Sequence, residues 1–589
     1  MTDPDLPNRL RIESGEPKLS MALLSVLNQH RALLFLIAFA TVVFLSDIWI
    51  YKEFVRAESY FALGSRLMVE QGDWLTPHAP DELPLNKPPL TYWLIGLSYK
   101  FFGASYGSAR LPSVLAALAV LFIVYWLAVR LDGIRAGVLS MAVLGSSYLF
   151  LSFARMAMSD MLLTLCVTGS LACFILALKD QEARSRKLVL LGYVACALGV
   201  LAKGPVALAL VAMPVGLELL LRRSRQDLRR IRLLPGLILF VLIAAPYFGF
   251  VYARMGAGPL WFFFFGENLQ RFTGQIYGES GRPFWYELMA FFSDFVPWSL
   301  LIVVAIWFDL RGRKILPTKT RATRLLYLWL GGTVVIFSLS SFKLDYYLLP
   351  SMPAAALIIG PFIAKAEKLP RFIRAVFAGF LVLGSVAMVL LALLSLKAAD
   401  VLSVRSPVRF LPVVAAVFGL GMIAFYIARR RRGESALMLS GTIWATSLTI
   451  QLALLPAFAN SLPATKLASG VPTGAMVLTS SAASDWANCL AYNLPPPHKV
   501  ERLVGDGRNE ALRGALLSDS KAVAVIWERE YAGLASQVFN LRILARVETF
   551  GHGGLTFKLI RDPRREGLLL VGTEGLSIPL ARLPAKNGE

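Results

Sequence analysis

Residues 188–221 read LVLLGYVACALGVLAKGPVALALVAMPVGLELLL, an apolar run of 34 residues holding one lysine and one glutamate. As a single helix it would reach roughly 50 Å at the usual rise, well beyond a hydrocarbon core near 30 Å. Lys203-Gly-Pro205 interrupts it at its middle, where glycine and proline favour a turn. We therefore expect two spans, 188–202 and 206–221, joined tightly. That choice decides the parity of every segment downstream.

The rest of the chain fits the same class. Of 589 residues 56% are hydrophobic and 17% charged, and the mean hydropathy is +0.60, values outside the soluble globular range. Apolar runs of about 15–25 residues recur from 32 to 458, each long enough to cross a bilayer as a helix. The expected fold is mainly α and polytopic, with about thirteen transmembrane helices, the run stopping near residue 464. Basic residues cluster in short loops near 130–135, 179–187, 222–232, 311–324, 365–374 and 429–432. This is the positive-inside pattern, so the net charge of +22 orients the chain in a membrane and does not argue for nucleic acid. It places segment 1–31 on the cytoplasmic side and, with an odd number of spans, residues 465–589 outside. The N-terminal stretch lacks a small-residue cleavage signature, so the first span is expected to be retained.

The four cysteines and four histidines have no metal-ligand spacing. In 465–589 the runs 476–479, 522–527, 543–550 and 555–560 look like strands with helical stretches among them, a small α/β domain without a Gly-rich phosphate loop. The transmembrane region 32–464 shows no two-fold repeat, which counts against a lipid-linked sugar flippase or transporter. Among the expected outer loops the charges are densest in the first, 51–110, which contains Asn86-Lys-Pro-Pro-Leu-Thr-Tyr-Trp93.

Ionisable groups near the membrane cost about 2.5–3.5 kcal/mol each on insertion, so they have partners or a task. Lys87, fixed by two following prolines, is a candidate ligand for a lipid phosphate; the alternative is a snorkelling interfacial lysine. Glu58 lies on an expected helix whose face carries Ala62 and Ser65, uncluttered enough for a carboxylate that takes a proton from an acceptor hydroxyl. The alternative is a solvated ion pair with an arginine one turn away. Asp160 opens a span, either as a first-turn acid complementing the helix N-terminus or as a second site carboxylate that binds a divalent cation or orients an acceptor or Lys87. Lys203 and Arg271 are further cations for phosphate, and Tyr60, Tyr92 and Tyr347 further candidates for substrate contact. Asp294, Lys343 and Asp345 read as structural, and Glu218 as an ion pair with Arg222.

Taken in order, Glu58-Ser-Tyr-Phe-Ala-Leu-Gly-Ser-Arg-Leu-Met68, Gly72-Asp-Trp74, Lys87-Pro-Pro-Leu-Thr-Tyr-Trp-Leu94, Ala109-Arg-Leu-Pro-Ser113, Arg155-Met-Ala-Met-Ser-Asp160, Ala202-Lys-Gly-Pro-Val206, Pro283-Phe-Trp285, Pro297-Trp-Ser299 and Lys343-Leu-Asp-Tyr-Tyr-Leu-Leu-Pro350 resemble the bacterial branch of the protein mannosyltransferase and aminoarabinose transferase superfamily. The resemblance covers about 300 residues in the family's order. It implies a C-type membrane glycosyltransferase of the bacterial inner membrane, with thirteen spans and a periplasmic C-terminal domain. Such an enzyme takes a sugar from a polyprenyl (undecaprenyl) phosphate and passes it, with inversion, to a lipid A-like lipid, a glycan or a protein. A carboxylate in the first loop would be the base and cations would hold the leaving phosphate. The chain departs from the family at three points: Ala57-Glu58 stands for the usual Asp-Glu, Tyr60 for an arginine, and Asn86 for the glutamate before Lys-Pro-Pro. The base is thus left between Glu58 and Asp160, a divalent metal is left open, and a catalytically inactive member acting as a binding partner stays as an alternative.

Overall fold

The computed structural model describes residues 33–50, 54, 56–77, 87–179, 185–275, 281–310, 321–459, 463–472, 474–480, 487–494, 499–502, 508–519, 521–538, 540–549 and 566–573. The run that opened the reading of the sequence is a helical hairpin. After α1 (Leu33–Leu45) come α2 (Arg56–Gln71), α3 (Leu90–Phe102), α4 (Tyr106–Asp132), α5 (Ile134–Gly145), α6 (Tyr148–Phe153), α7 (Ser159–Lys179), α8 (Ser185–Lys203) and α9 (Val206–Arg222). Between α8 and α9, Gly204 has a φ of +95°, a conformation that side chains resist, and a Cβ there would lie 2.8 Å from the Phe263 ring. The turn is as expected, and it leaves Lys203 at the end of α8.

The chain continues through α10 (Arg225–Ile231), α11 (Leu233–Met255), α12 (Ala257–Trp261), a π-helical stretch (Phe262–Gln270), α13 (Arg271–Thr273), α14 (Tyr286–Asp294), α15 (Ser299–Leu310), α16 (Arg321–Leu339), a 3-10 turn (Asp345–Ser351), α17 (Met352–Ala364), α18 (Arg371–Val401), α19 (Leu411–Ala428) and α20 (Arg432–Ala459). Every expected span overlaps a helix, but two expectations of a straight crossing are corrected. The span at 287–310 is α14 and α15, bent by 110° where Pro297 withdraws a backbone donor, and the span at 137–155 is the two short helices α5 and α6. Among the described residues eight helices are long and apolar enough to cross a membrane, nine with the bent pair. The protein is a multi-pass membrane protein.

Burial sorts the helices into centre and rim. The apolar windows of Ser159–Lys179 and Asp345–Ala364 are 89% buried against 22% for Arg225–Met255 and Pro407–Ala428, so α7 and α17 form the middle of the bundle and α11 and α19 lie at its rim. Three fully buried tryptophans fasten the centre. Their indole N–H groups donate to Ser146 Oγ from Trp298 at 3.0 Å, to the Pro350 carbonyl from Trp329 at 2.8 Å, and to the Gly145 carbonyl from Trp444 at 2.7 Å. Each bond serves an oxygen that no water reaches. α5 and α17 cross closely at Gly360, where a Cβ would fall 2.7 Å from the Ser140 backbone nitrogen.

The C-terminal region is α/β, as expected. α21 (Pro463–Ser469) leads to β1 (Met476–Thr479), α22 (Ala487–Asn493), β2 (Lys499–Arg502), α23 (Arg508–Ser518), β3 (Ala522–Trp527), α24 (Glu528–Ala535), β4 (Leu541–Thr549) and β5 (Glu566–Thr573). The sheet order is β2-β1-β3-β5-β4, with β1 parallel to β2 and β3, and β5 antiparallel to β3 and β4. β2 and β5 were not anticipated, and the expected strand at 555–560 lies outside the described residues. Alternate residues of β3 face opposite ways. Ala522, Ala524 and Ile526 pack with Leu512, Leu516 and Leu534 under α23 and α24. Val523, Val525 and Trp527 join a second core that runs on without a break into Phe54, Phe61, Tyr92 and Tyr99 of the first loop. Hydrogen bonds seal that junction: Tyr106 donates to Asn493 Oδ1 at 2.7 Å, Cys489 Sγ to the Phe54 carbonyl at 3.2 Å, and Arg66 to the Tyr492 carbonyl.

Candidate active site

One cavity of about 140 Å³ gathers Lys87, Asp160, Lys203, Glu267, Arg271 and Tyr347. Sequence position alone would scatter them over 260 residues. Lys87 enters from the loop just before α3, where Pro89 occupies the N-cap, its fixed φ suiting a helix start. Asp160 sits in the first turn of α7 and Lys203 in the last turn of α8, each with the charge its helix dipole favours. The two form an ion pair. The Lys203 ammonium also lies 5.7 and 5.5 Å from the ring centres of Tyr346 and Tyr347. Asp160 is thus a first-turn acid of α7 that also lines the cavity.

Glu267, on the π-helical stretch, was not singled out in the sequence. Its Oε2 accepts from Lys87 Nζ at 3.0 Å and from Arg271 Nη1 at 3.1 Å, and its carboxylate is 2% exposed. The signal for it was the four-residue spacing to Arg271; the link to Lys87, 180 positions away, has no sequence signal. Arg271 in turn lies 4.4 Å from the Phe342 ring centre. Burial drives the Lys87 ammonium below the usual lysine range; Glu267 opposes this, and the nearby Arg271 and Lys203 reinforce it. The site is rich in positive charge with two carboxylates held against it.

The expectation of an open face at Glu58 is corrected. Its side chain is buried, Oε1 accepting from Arg110 Nε at 2.9 Å and from the Ala157 amide at 2.9 Å, and Oε2 from Arg110 Nη2 at 3.2 Å. The partner is not an arginine one turn away but one 52 residues on, brought in by the start of α4. Arg110 also donates to the Ile48 carbonyl at 3.3 Å. Glu58 therefore ties α2 and α4 to the turn that precedes Asp160, and it does not line the cavity. Tyr60 and Tyr92 pack on each other and on Phe61 away from the cavity lining, whereas Tyr347 is part of it.

The other charged motifs stand outside the cavity lining and have partners of their own. Asp73 Oδ1 accepts from the Leu75 and Thr76 amides at 3.1 and 3.2 Å and from Arg254 at 3.2 Å. Its carboxyl is held below the usual range, burial opposing and the Thr76 hydroxyl, the two amides and Arg254 together prevailing. Asp345 accepts from Arg282 at 2.6 Å, and Lys343 donates to the Ser340 carbonyl. Glu218 is taken by Arg324 at 2.7 Å and by Arg321 at 3.5 Å more closely than by Arg222 at 3.8 Å. Among the described residues no three histidine, cysteine, aspartate or glutamate side chains converge as a metal would require, and Asp160 and Glu267 are each occupied by cations.

Solved structures share this fold. The fold matches that of ArnT from Cupriavidus metallidurans bound to undecaprenyl phosphate, with a TM-score of 0.72 and 21% identity over 92% of this chain and 98% of that one. It matches more distantly the apo oligosaccharyltransferase of Archaeoglobus fulgidus, with a TM-score of 0.52 and 12% identity over 87% and 71% of the two chains. This is the C-type membrane glycosyltransferase fold. A model of the dolichyl-phosphate-mannose-protein mannosyltransferase family matches residues 86–250. The undecaprenyl phosphate-alpha-4-amino-4-deoxy-L-arabinose arabinosyl transferase 2 of Proteus mirabilis (strain HI4320) is 30% identical over 416 residues, covering 67% of this chain and 70% of that protein. The enzyme of the same name without the numeral from Pseudomonas aeruginosa (strain LESB58) is 32% identical over 363 residues, covering 60% and 62%. The chain belongs to the superfamily that unites these mannosyltransferases and aminoarabinose transferases. It spans about three fifths of the length of several curated relatives it matches.

Proposed function

We propose that the protein is an inner-membrane glycosyltransferase that moves a sugar from an undecaprenyl-phosphate-type donor to an acceptor hydroxyl on a lipid, a glycan or a protein at the periplasmic face. The observation that carries this reading is the meeting of three cations and two carboxylates in one cavity at the ends of α7 and α8. The names of the relatives support the donor class. Lys87, Arg271 and Lys203 grip the donor phosphate. Glu267 holds the first two in place until the phosphate oxygens compete for them. Asp160 is the base: the acceptor oxygen bonds to the anomeric carbon, the bond from that carbon to the phosphate oxygen breaks, the phosphate leaves with the electron pair, and Asp160 takes the proton. Inversion follows from attack opposite the leaving group. Charge compensation at the phosphate and positioning of the acceptor supply the rate without a covalent intermediate. Tyr347 contacts the donor beside Lys203. Glu58 acts through Arg110 and the Ala157 amide on the turn before Asp160. In this reading segment 1–31 is cytoplasmic, 32–464 is the transmembrane catalytic domain and 465–589 the periplasmic one.

The test is transfer of radiolabelled sugar from polyprenyl-phosphate donors into membrane acceptors, normalised to folded protein. Asp160→Asn should lose about 10²–10⁴-fold in rate, the usual weight of a positioned acid or base, while still retaining donor. Glu58→Gln should keep a measurable rate per folded molecule. A silent Glu58→Gln beside an active Asp160→Asn would exchange the two roles. If wild type is silent with every donor, the binding-partner reading takes over.

A further inference from the structure

A second and larger cavity, of about 510 Å³, lies at the other end of the same helices. It is bounded by Lys179 at the end of α7, Arg222 at the end of α9, Arg230 on α10 and Arg321 at the start of α16. Asp160 and Lys179 sit on one helix nineteen steps apart, so the two cavities are separated by roughly 30 Å, about one hydrocarbon thickness. This end carries the basic loops. Its floor is apolar, formed by Leu131, Leu178, Leu326, Leu357 and Ile358.

The charges of the rim are unequally engaged. Arg321 is satisfied by Asp227 and by the Leu178 carbonyl at 2.8 Å. Arg222 and Arg230 reach carboxylates only at 3.8 and 3.7 Å, beyond hydrogen-bond range. Among the described residues neither donates a hydrogen bond. Asp132 and Asp227 are the lining acids, and Asp132 is met by Lys365 at 3.5 Å. What is left over is guanidinium capacity above an apolar floor.

We propose that this cavity binds the phosphate headgroup of an anionic phospholipid of the leaflet opposite the active-site cavity, Arg222 and Arg230 gripping the phosphate and the leucine floor taking the glycerol and upper chain. A free phosphate satisfies the arginines equally well but has no use for the apolar floor of Leu178, Leu326, Leu357 and Ile358, all buried, with the half-buried Leu131 beside them. A lipid uses both. The site is independent of the transfer chemistry.

The experiment uses the full chain purified in a neutral detergent, with bound lipid counted by native mass spectrometry and thermal midpoints measured in parallel. The probes are phosphatidylglycerol, phosphatidylcholine of the same chains, glycerol phosphate and inorganic phosphate. Wild type should retain one phosphatidylglycerol in preference to phosphatidylcholine and gain thermal stability from it. Arg222→Gln/Arg230→Gln should weaken that binding by about tenfold or more, the weight of two charge-assisted bonds. Arg429→Gln/Arg430→Gln, which removes two exposed cations outside the cavity, should leave it unchanged. Equal loss in both pairs would mean diffuse surface charge and overturn the site. So would a wild type that does not distinguish the two lipids. Displacement of phosphatidylglycerol by glycerol phosphate or inorganic phosphate at similar concentration would make the ligand a soluble anion and overturn the lipid assignment.

Discussion

At the residue scale the chemistry turns on how Glu267 divides its charge. One carboxylate serves Lys87 and Arg271 at once, so Glu267→Gln leaves two enclosed cations facing each other without it. We expect this variant to unfold at a lower temperature than wild type when free of ligand, and to recover more of that difference than wild type gains when undecaprenyl phosphate is added. A variant whose midpoint is unmoved by either change would refute the shared-carboxylate account. Lys87 makes a second prediction through pH. In the role proposed for Lys87, phosphate binding needs the ammonium, and burial has lowered its pKa from the ordinary 10.5. The charged form is complete at low pH and is lost as pH rises through the lowered value, so donor retention should fall on the alkaline side earlier than an exposed lysine would cause. Lys87→Arg, which stays charged, should abolish that alkaline limb in a donor-binding titration. Lys87, Asp160, Lys203, Arg271 and Tyr347 were legible in the sequence because each stands at a span end or inside a quotable motif. Glu267 was not, because the residue that explains it is 180 positions away, and the surroundings of Glu58 were misread because its partner was sought within one helical turn and lies 52 positions on.

At the scale of elements, the turn between α8 and α9 does more than reverse the chain. Gly204 allows the positive φ and the close approach of Phe263, and it sets where Lys203 ends. Gly204→Ala should cost about 1–3 kcal/mol of local strain, visible as a lowered thermal midpoint in detergent. It should also reduce transfer more than Gly249→Ala, a helix glycine whose added Cβ meets nothing within 4 Å. Equal effects at both positions would remove the turn from the site. This hairpin was readable from one tripeptide, since only a break makes 34 apolar residues fit a bilayer. The bend between α14 and α15 was not, although Pro297 marks it, because both arms are apolar and their sum has the length of one crossing. Strands β2 and β5 were missed for a different reason. Lys499-Val-Glu-Arg502 is too short to show alternation, and Glu566–Thr573 follows a charged stretch that reads as loop.

At the scale of the whole molecule, the bundle and the C-terminal sheet are continuous where they meet. Phe54 packs with Tyr106 and Tyr492 at ring distances of 4.6 and 4.9 Å, and the apolar cluster that begins in the first loop ends in β3 and β5. Cutting the chain after residue 459 should therefore do more than remove a domain. We expect the first loop of the truncated protein to become protease-sensitive near residues 56–71 while the helices 321–459 stay protected, as read by limited proteolysis and mass spectrometry. Equal protection of the loop in both forms would show that the sheet is an independent appendage. Composition and basic-loop spacing were enough to foresee a bundle and a separate-looking tail, but the contact between them rests on aromatic residues more than 380 positions apart. The same junction sets an order of events during synthesis. The loop that carries Glu58 and Lys87 leaves the ribosome early, yet its apolar underside stays uncovered until almost the last strand has been made. The candidate site is thus among the final parts of the protein to mature, and a chain that stalls late in translation would leave a nearly complete bundle holding an unfinished cavity.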